Sequence, residues 1–430
     1  MLKLALILEA LLAYIYVSLT NGVFLAYLAS LGYDTGAMSF VVLISSFPAA
    51  IMGFFFFKRP ALLSSASKRT LVLSHACERL TWLAVPFLRS LPGLIMIYAV
   101  KNFFSVLISL QLNNIIFGCF DEEGVREVTS KRSSLASLSS ILGYFLATVF
   151  LSNRETGFYY SFIYGSLTGL ASTAIISLPK ISVPKVTPPV IKGVGKIYTV
   201  SLFQVLYVAS SSLLSILWVA VLIKGLSLES YWVSMIGLVG TAVSIFASLF
   251  WGKAGFRHYR LSLAFDSLTP VLVLAMRNPL LHLGISAYSS FFSTASGFLG
   301  GFLYARYLNE LGSTRASSLL IMLGGIGQLL GTLIGSFGKE YYLLLAASVA
   351  LLKVGTLLVA FLTIPEVAMV PEQVARNYAN TLYSISLTGY RVSLEISKEA
   401  LITTLRIVAL TFSLLILYII YRVIVILLGA

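Results

Sequence analysis

Residues 69–105, RTLVLSHACERLTWLAVPFLRSLPGLIMIYAVKNFFS, return at 257–293 as RHYRLSLAFDSLTPVLVLAMRNPLLHLGISAYSSFFS. The slide is 188 residues without a gap, and 13 of 37 positions are identical. Apolar composition inflates such a count, so the polar matches decide. Arg69 meets Arg257, Ser74 meets Ser262, Thr81 meets Thr269 and Arg89 meets Arg277. Glu78 meets Asp266, and Phe103, Phe104 and Ser105 meet Phe291, Phe292 and Ser293. A slide of 184 aligns 131–148 with 315–332, matching Ser133, Ser134 and Leu135 to Ser317, Ser318 and Leu319, Gly143 to Gly327 and Thr148 to Thr332. A period of nearly half the chain indicates two large related units rather than a stack of small repeats.

The composition says what the repeated unit is. Of 430 residues, 58% are hydrophobic and only 11% charged, with a mean hydropathy of +0.94. A water-soluble core cannot use that many apolar residues, which places the chain in the membrane class. A crossing needs about 20 apolar residues at ~1.5 Å each. Spans are predicted at 4–30, 39–57, 70–88, 92–118, 133–152 and 157–178. A second set follows at 197–223, 231–251, 261–276, 280–305, 316–337 and 341–363, and one more at 403–428. The first run is too long for the core of a signal peptide and reads as a retained helix. Six spans separate each repeated pair. An even number preserves direction, so the two units are parallel repeats about an axis along the membrane normal.

The charges sort by side. With the N-terminus inside, the inner connections receive Lys3; Lys58, Arg59, Lys68 and Arg69; and Arg126, Lys131 and Arg132. They also receive Lys180, Lys185, Lys192 and Lys196; Lys253, Arg257 and Arg260; and Arg306 and Arg315, 17 in all. The outer connections hold five, namely Arg89, Arg154, Lys224, Arg277 and Lys339. Basic residues are retained on the cytoplasmic side, so the bias sets the orientation. It also accounts for the net charge of +14 as an insertion signal beside anionic lipid, not as a nucleic-acid surface. Cysteines introduced at Ser65 and Ser182 should therefore react with an impermeant thiol reagent only from the cytoplasm, and one at Ser152 only from outside. Opposite labelling at either inner position overturns the orientation.

Six spans, a basic inner linker and six spans resemble the major facilitator superfamily, over residues 1–365. That family carries a Gly, Asp and Arg/Lys signature after its second and eighth helices. Here Trp251, Gly252, Lys253, Ala254, Gly255, Phe256, Arg257, His258, Tyr259 and Arg260 look like a shortened second copy. The first copy retains Gly53 with Lys58, Arg59, Lys68 and Arg69, and has no acid between the basic pairs. The Gly–Pro signature of the family's antiporters is missing from the fifth span, where only Gly143 stands. The resemblance implies an all-α polytopic membrane protein with two parallel six-helix repeats at 1–178 and 197–365, joined by a basic linker at 179–196. Residues 366–402 read as an amphipathic interfacial segment, with Leu382, Ile385, Tyr390 and Leu394 on one face. Residues 403–430 add a thirteenth transmembrane helix, unlike most of that family. It puts the C-terminus outside and offers a contact for another subunit through 403–428.

A polar side chain facing lipid is costly, so polar residues within a span should face protein or water. The fourth span carries Asn102, Ser105, Ser109 and Asn113 on one helical face, with Lys101 beside them. The tenth carries His282, Ser286, Ser289, Ser293 and Ser296. The seventh carries Gln204, Ser211, Ser215 and Trp218, and the first Glu9, Tyr16, Thr20 and Tyr27. The fifth has such a face too, through Ser133, Ser137, Ser140 and Tyr144. Small hydroxylated residues also serve simply to join helices. The resemblance implies that the first, fourth, seventh and tenth helices line a central path. The expected substrate cavity is then Glu9, Tyr16, Thr20, Lys101, Asn102, Ser105, Gln204, Ser211, His282 and Ser293. Lys58, Arg59, Gly252, Lys253 and Arg257 are the expected cytoplasmic gating loops. Gly324, Gly325, Gly327, Gly331 and Gly335 on the eleventh span are expected to serve packing.

Six charged residues fall inside spans: Glu9, Glu78, Arg79, Lys101, Asp266 and Lys353. Each costs roughly 2.5–3.5 kcal/mol at the bilayer centre on insertion scales, so each should have a partner. Glu78 and Lys101 lie at similar depth on adjacent antiparallel spans and are expected to pair. Arg79 points about 100° away from Glu78 and needs its own acid or a snorkelling path. Lys353 can meet Asp266 or the added helix. Glu9, Glu78 and Asp266 are alternatively carriers of a coupling proton.

There is no phosphate-binding Gly-rich loop, no metal-ligand spacing among three histidines and two cysteines, and no visible nucleophile–base arrangement. The chain therefore reads as a non-enzyme without a cofactor. The leading function is a secondary transporter in the cell membrane, moving a small solute by alternating access, with proton coupling as one option. A non-transporting scaffold or receptor, or a lipid-handling protein, is the alternative on the same fold.

Overall fold

The computed structural model describes residues 2–64, 68–181, 194–306, 311–338 and 341–387. All regular structure among them is helical. The first span is α1 (Leu2–Leu19) and α2 (Asn21–Ser30). It is followed by α3 (Thr35–Lys58), the short α4 (Pro60–Ser64), α5 (Lys68–Ala84), α6 (Leu91–Cys119), α7 (Glu122–Leu151) and α8 (Gly157–Ser177). The second set is α9 (Val194–Ala220), α10 (Tyr231–Lys253), α11 (Tyr259–Asp266), α12 (Thr269–Ala275), α13 (Pro279–Arg306), α14 (Ser313–Gly338) and α15 (Tyr342–Thr363). Residues 372–387 form α16. Eight of the helical stretches are long and apolar enough to cross a membrane. The others are shorter or carry more polar residues, α5 with Lys68, Arg69, Glu78 and Arg79 among them. The segment expected as a thirteenth span, 403–428, lies outside the described residues.

Local chemistry sets the ends. Asp34 accepts a hydrogen bond from the Ala37 amide at 2.7 Å and caps α3. Asp121 does the same for α7 through the Gly124 amide at 2.9 Å. A carboxylate there satisfies an amide that has no intrahelical acceptor. Gly32, at φ 90°, ends α2 in the left-handed region that favours glycine.

Helix packing in the first set recurs in the second. α1 packs on α7 and α8, as α9 packs on α14 and α15. α3 packs on α6 as α10 packs on α13, and α5 on α6 as α11 and α12 on α13. The two sets then meet along two equivalent pairs, α3 with α14 and α7 with α10. Lipid tails are as apolar as leucine, so within a membrane such contacts are held by close packing and hydrogen bonds rather than by water exclusion.

The glycine row of α14 shows how close that packing is. A Cβ at Gly325 would sit 2.5 Å from the Ala50 nitrogen of α3, while one at Gly327 would sit 2.6 Å from the Val205 carbonyl of α9. One helix thus uses successive glycines to approach two neighbours, one in each set. At the end that the charge bias places outside, Ile216, Val219, Leu222 and Val233 join the aromatic core of Phe24, Trp82, Tyr98 and Phe162. At the other end, Thr314 of α14 donates to the Asn114 side chain of α6 at 2.8 Å, and Ser317 to the Leu110 carbonyl.

Two expectations shift at the level of helices. The first and ninth spans are each broken, the first at Thr20 and the ninth between Asp266 and Thr269. The segment expected at 366–402 is described as far as residue 387 and touches the second set there, while Tyr390 and Leu394 of its expected apolar face lie outside the described residues. Tyr198, near the start of α9, touches α16 through the Tyr383 ring, 5.6 Å away, and the Ser386 hydroxyl. Arg260 donates to the carbonyls of Val367 and Ala368 and holds the chain that leads to α16.

Candidate functional site

The polar residues of the first set gather around the break in the first span. Thr20 has φ −115° and ψ −81°, and its hydroxyl folds back on the Tyr16 carbonyl at 2.8 Å. Asn21 therefore begins a new helix, and its side chain reaches across to α6. Its Oδ1 accepts from the Tyr98 hydroxyl at 2.9 Å and from the Lys101 ammonium at 3.2 Å. Lys101 also donates to Asn102 Oδ1 at 3.0 Å, and Asn102 Nδ2 donates to the Ser45 carbonyl of α3 at 3.0 Å. The ammonium lies 5.0 Å from the centre of the Tyr98 ring and 5.4 Å from that of Trp82. Cation–π attraction and two amide oxygens thus take the place of water around a lysine that is 8% exposed.

Glu78 is not the partner of Lys101. Its carboxylate takes the guanidinium of Arg79 on one oxygen and the Ser105 hydroxyl on the other, at 2.8 Å. The expected 100° separation between Glu78 and Arg79 describes their Cα positions, and a long arginine side chain curls back over it. Arg79 finds room because Gly169 of α8 lies beneath it, where a Cβ would overlap its Cγ. Its guanidinium covers the Tyr16 ring at 4.8 Å. In the second set Asp266, the repeat counterpart of Glu78, pairs with Lys353 at 2.6 Å. The slide of 184 that matches α7 to α14 sets Lys353 against Gly169. The same buried acid is thus neutralised from the neighbouring helix in one set and from its own helix in the other. Glu9, 2% exposed, pairs with Arg132 of α7 at 2.9 Å.

The remaining expected cavity residues are more dispersed. His282 is buried with both ring nitrogens engaged: Trp218 donates to Nδ1 at 3.1 Å, and Nε2 meets the Met276 carbonyl at 3.0 Å. That pairing makes Nε2 the protonated nitrogen and spends the ring on packing. Gln204 is half-buried with its Oε1 against Gly300, and no hydrogen-bond donor reaches that atom among the described residues. Ser211 is half-buried, and so is Ser293, whose carbonyl accepts from Tyr207 at 3.0 Å. Tyr16 and Thr20 are buried within the first set. Lys58 and Arg59 are exposed over the rings of Phe54 and Phe55, Gly252 and Lys253 are exposed in the last turn of α10, and Arg257 is exposed on the connection after it.

Several contributors escaped the periodicity argument. Asn21 is one residue beyond Thr20 and so off the polar stripe. Its signal was the Asn21–Gly22 pair, a break-forming dipeptide inside an apolar run. Gly22 serves a second purpose, because the Tyr144 ring of α7 lies against it and against Gly237 of α10. Arg132 reaches Glu9 from beyond the predicted start of its span. On the connection between α7 and α8, Arg154 pairs with Glu229 of the other set, which raises its pKa above the ordinary arginine value. No group of His, Cys, Asp or Glu suited to a metal ion occurs among the described residues.

No protein-family model matches the chain, and no curated protein sequence matches it either. Solved structures do. The human organic anion transporter TETRAN is 12% identical with a TM-score of 0.58, over 83% of this chain and 97% of that one. A mutant of the nucleoside transporter NupG is 14% identical with a TM-score of 0.59, over 84% and 100%. A bacterial homologue of the iron transporter ferroportin, in an outward-facing state, is 14% identical with a TM-score of 0.58, over 84% and 98%. At such identities the likeness is one of fold. The chain has the fold of major-facilitator-type transporters, nearly the full length of each.

Proposed function

We propose that this multi-pass membrane protein is a secondary transporter that moves a small solute by alternating access between its two helix sets, residues 1–178 and 197–365. One observation carries the reading. The sets touch along two equivalent helix pairs: α3 with α14, whose backbones approach through Gly53 and Gly325, and α7 with α10, where the Tyr144 ring fills the space over Gly237. Such surfaces let two rigid bodies rock against each other about a site near the midplane. The likeness in fold to solved transporters supports it. The Asn21–Lys101–Asn102 cluster supplies polar chemistry at the break of the first span, where the cost of burying polar groups is justified by a ligand. The orientation follows from the charge bias, with the N-terminus in the cytoplasm.

Reconstitution tests this directly. Liposomes containing the protein should accumulate or release a solute from a broad labelled panel faster than empty liposomes, with saturation at high concentration. A scaffold or receptor on the same fold gives no flux for any solute. A lipid-handling protein gives transbilayer movement of labelled lipid instead. Imposing a pH gradient on the same liposomes tests proton coupling, for which Glu9, Glu78 and Asp266 are the candidates. Loss of gradient-driven flux in Glu78→Gln, with downhill flux intact, is the expected sign of coupling through that residue.

A further inference from the structure

The buried charges of the described residues do not balance. Inside the spans, Glu9 is paired with Arg132, Glu78 with Arg79 and Asp266 with Lys353. Lys101 is left over. No carboxylate of the described residues lies within ion-pair distance of it, and its two hydrogen bonds go to neutral amides. Glu78, already held by Arg79 and Ser105, acts on Lys101 only from beyond ion-pair distance, and an ammonium taken out of water without a counter-charge in contact is costly even above two aromatic rings.

The donor and acceptor count around it says what is missing. An ammonium has three donors, and Lys101 uses two of them. Asn102 has its Oδ1 taken by Lys101 and its Nδ2 given to the Ser45 carbonyl. Asn21 has its Oδ1 taken twice, by Tyr98 and Lys101, which fixes the orientation of its amide and leaves its NH2 group unspent. Asn21 is also exposed, unlike the rest of the cluster. What the cluster presents is therefore mainly donors: the third N–H of Lys101, the second N–H of Asn102 and the amide NH2 of Asn21, against the remaining lone pairs of Asn102 Oδ1 and the Tyr98 hydroxyl. The counterparts of Lys101 and Asn102 in the second set are Ser289 and Ser290, so the excess cation belongs to one set alone.

We propose that the solute carries an anionic group, a carboxylate or phosphate, which is bound by Lys101 and the Asn21 amide at the break of the first span. This rests on the transporter reading for its solute, and it deepens that reading by naming the chemical class. The anion supplies the acceptors and the negative charge that the cluster lacks. Charge-assisted bonds of this kind are stronger than neutral ones.

Melting temperature of the full chain in a neutral detergent tests it, first without ligand. Lys101→Met removes a lone buried cation and should melt at or above the parent. A fall that Glu78→Gln restores would show Glu78 to be the partner of Lys101 and overturn the proposal. The second arm adds a panel of acetate, succinate, benzoate and inorganic phosphate, with acetamide, benzamide and choline as controls. At least one anion should raise the melting temperature of the parent, since a ligand of the folded state stabilises it. Lys101→Met and Asn21→Leu should weaken that binding about tenfold or more, and Lys101→Arg should retain part of it. No shift from any anion in the parent, or a shift undiminished in Lys101→Met, overturns the proposal. A third arm compares added phosphatidylglycerol with phosphatidylcholine: stabilisation by the first alone, lost in Lys101→Met, assigns the anion to a lipid headgroup rather than a soluble solute. Flux of a neutral or cationic solute that Lys101→Met leaves unchanged would keep the transporter and discard the anion. Anion binding without flux would do the reverse.

Discussion

Lys353→Met is expected to melt well below the parent protein, by an amount corresponding to about 3–5 kcal/mol, because it leaves Asp266 as an uncompensated buried charge. The pair is nearly sealed from solvent, and one oxygen of Asp266 already lacks a hydrogen-bond donor among the described residues. Adding Asp266→Asn to Lys353→Met removes the stranded carboxylate and should recover most of the loss. The same cycle distinguishes the two neighbours of Glu78. Glu78→Gln with Arg79→Met should recover stability in the double variant, whereas Glu78→Gln with Lys101→Met should give effects that add. Melting temperature and peak shape in size-exclusion chromatography report all of these variants. Simple addition for the Lys353 and Asp266 variants would mean that the two residues do not interact, and the pairing would have to be given up.

The second large effect is expected at Gly325. A Cβ there meets the Ala50 nitrogen at 2.5 Å and the Ala49 carbonyl carbon at 2.8 Å, so both obstacles are backbone and neither can rotate away. Gly53 faces the same restriction from α3, with the Met322 nitrogen 2.6 Å from its added Cβ. Gly325→Leu must separate α3 from α14, and with them the two helix sets. Overpacking of this kind costs about 1–3 kcal/mol in a well-packed core. Flux should be abolished, since the interface on which the sets rock is forced apart. Gly324 is the control on the same helix. Nothing lies within 4 Å of a Cβ there, so Gly324→Ala should leave flux unchanged and gain up to about 1 kcal/mol of helix propensity. Flux and melting in Gly325→Leu equal to those of the parent would remove the case for a close α3–α14 contact.

The particular residues show why some features could be read along the chain and others could not. The stripe of Asn102, Ser105, Ser109 and Asn113 is legible because a helix repeats every ~3.6 residues whatever surrounds it. Glu78 was legible as a buried acid needing a partner. The identity of that partner was not, because proximity in depth favoured Lys101, whereas the long side chain of Arg79 could bend over its own backbone once Gly169 left the space. His282 was legible as polar and buried. Its engagement by Trp218 and Met276 depends on how α9, α12 and α13 converge. The glycines of α14 were legible as packing residues, but their division between α3 and α9 was not, since one face of a helix can serve any neighbour that reaches it.

By itself the sequence determined that the chain is a bundle of apolar helices, that its halves are related, and that certain spans carry polar faces. These are properties of composition and period, which every helix expresses independently of its partners. The tertiary structure alone decided which charges neutralise one another, how the break at Thr20 turns Asn21 toward Lys101, and that Lys101 lies beyond ion-pair distance of any carboxylate among the described residues. Those outcomes depend on distances between helices far apart in the chain and on the volume each leaves for the other's side chains. A linear pattern contains neither quantity.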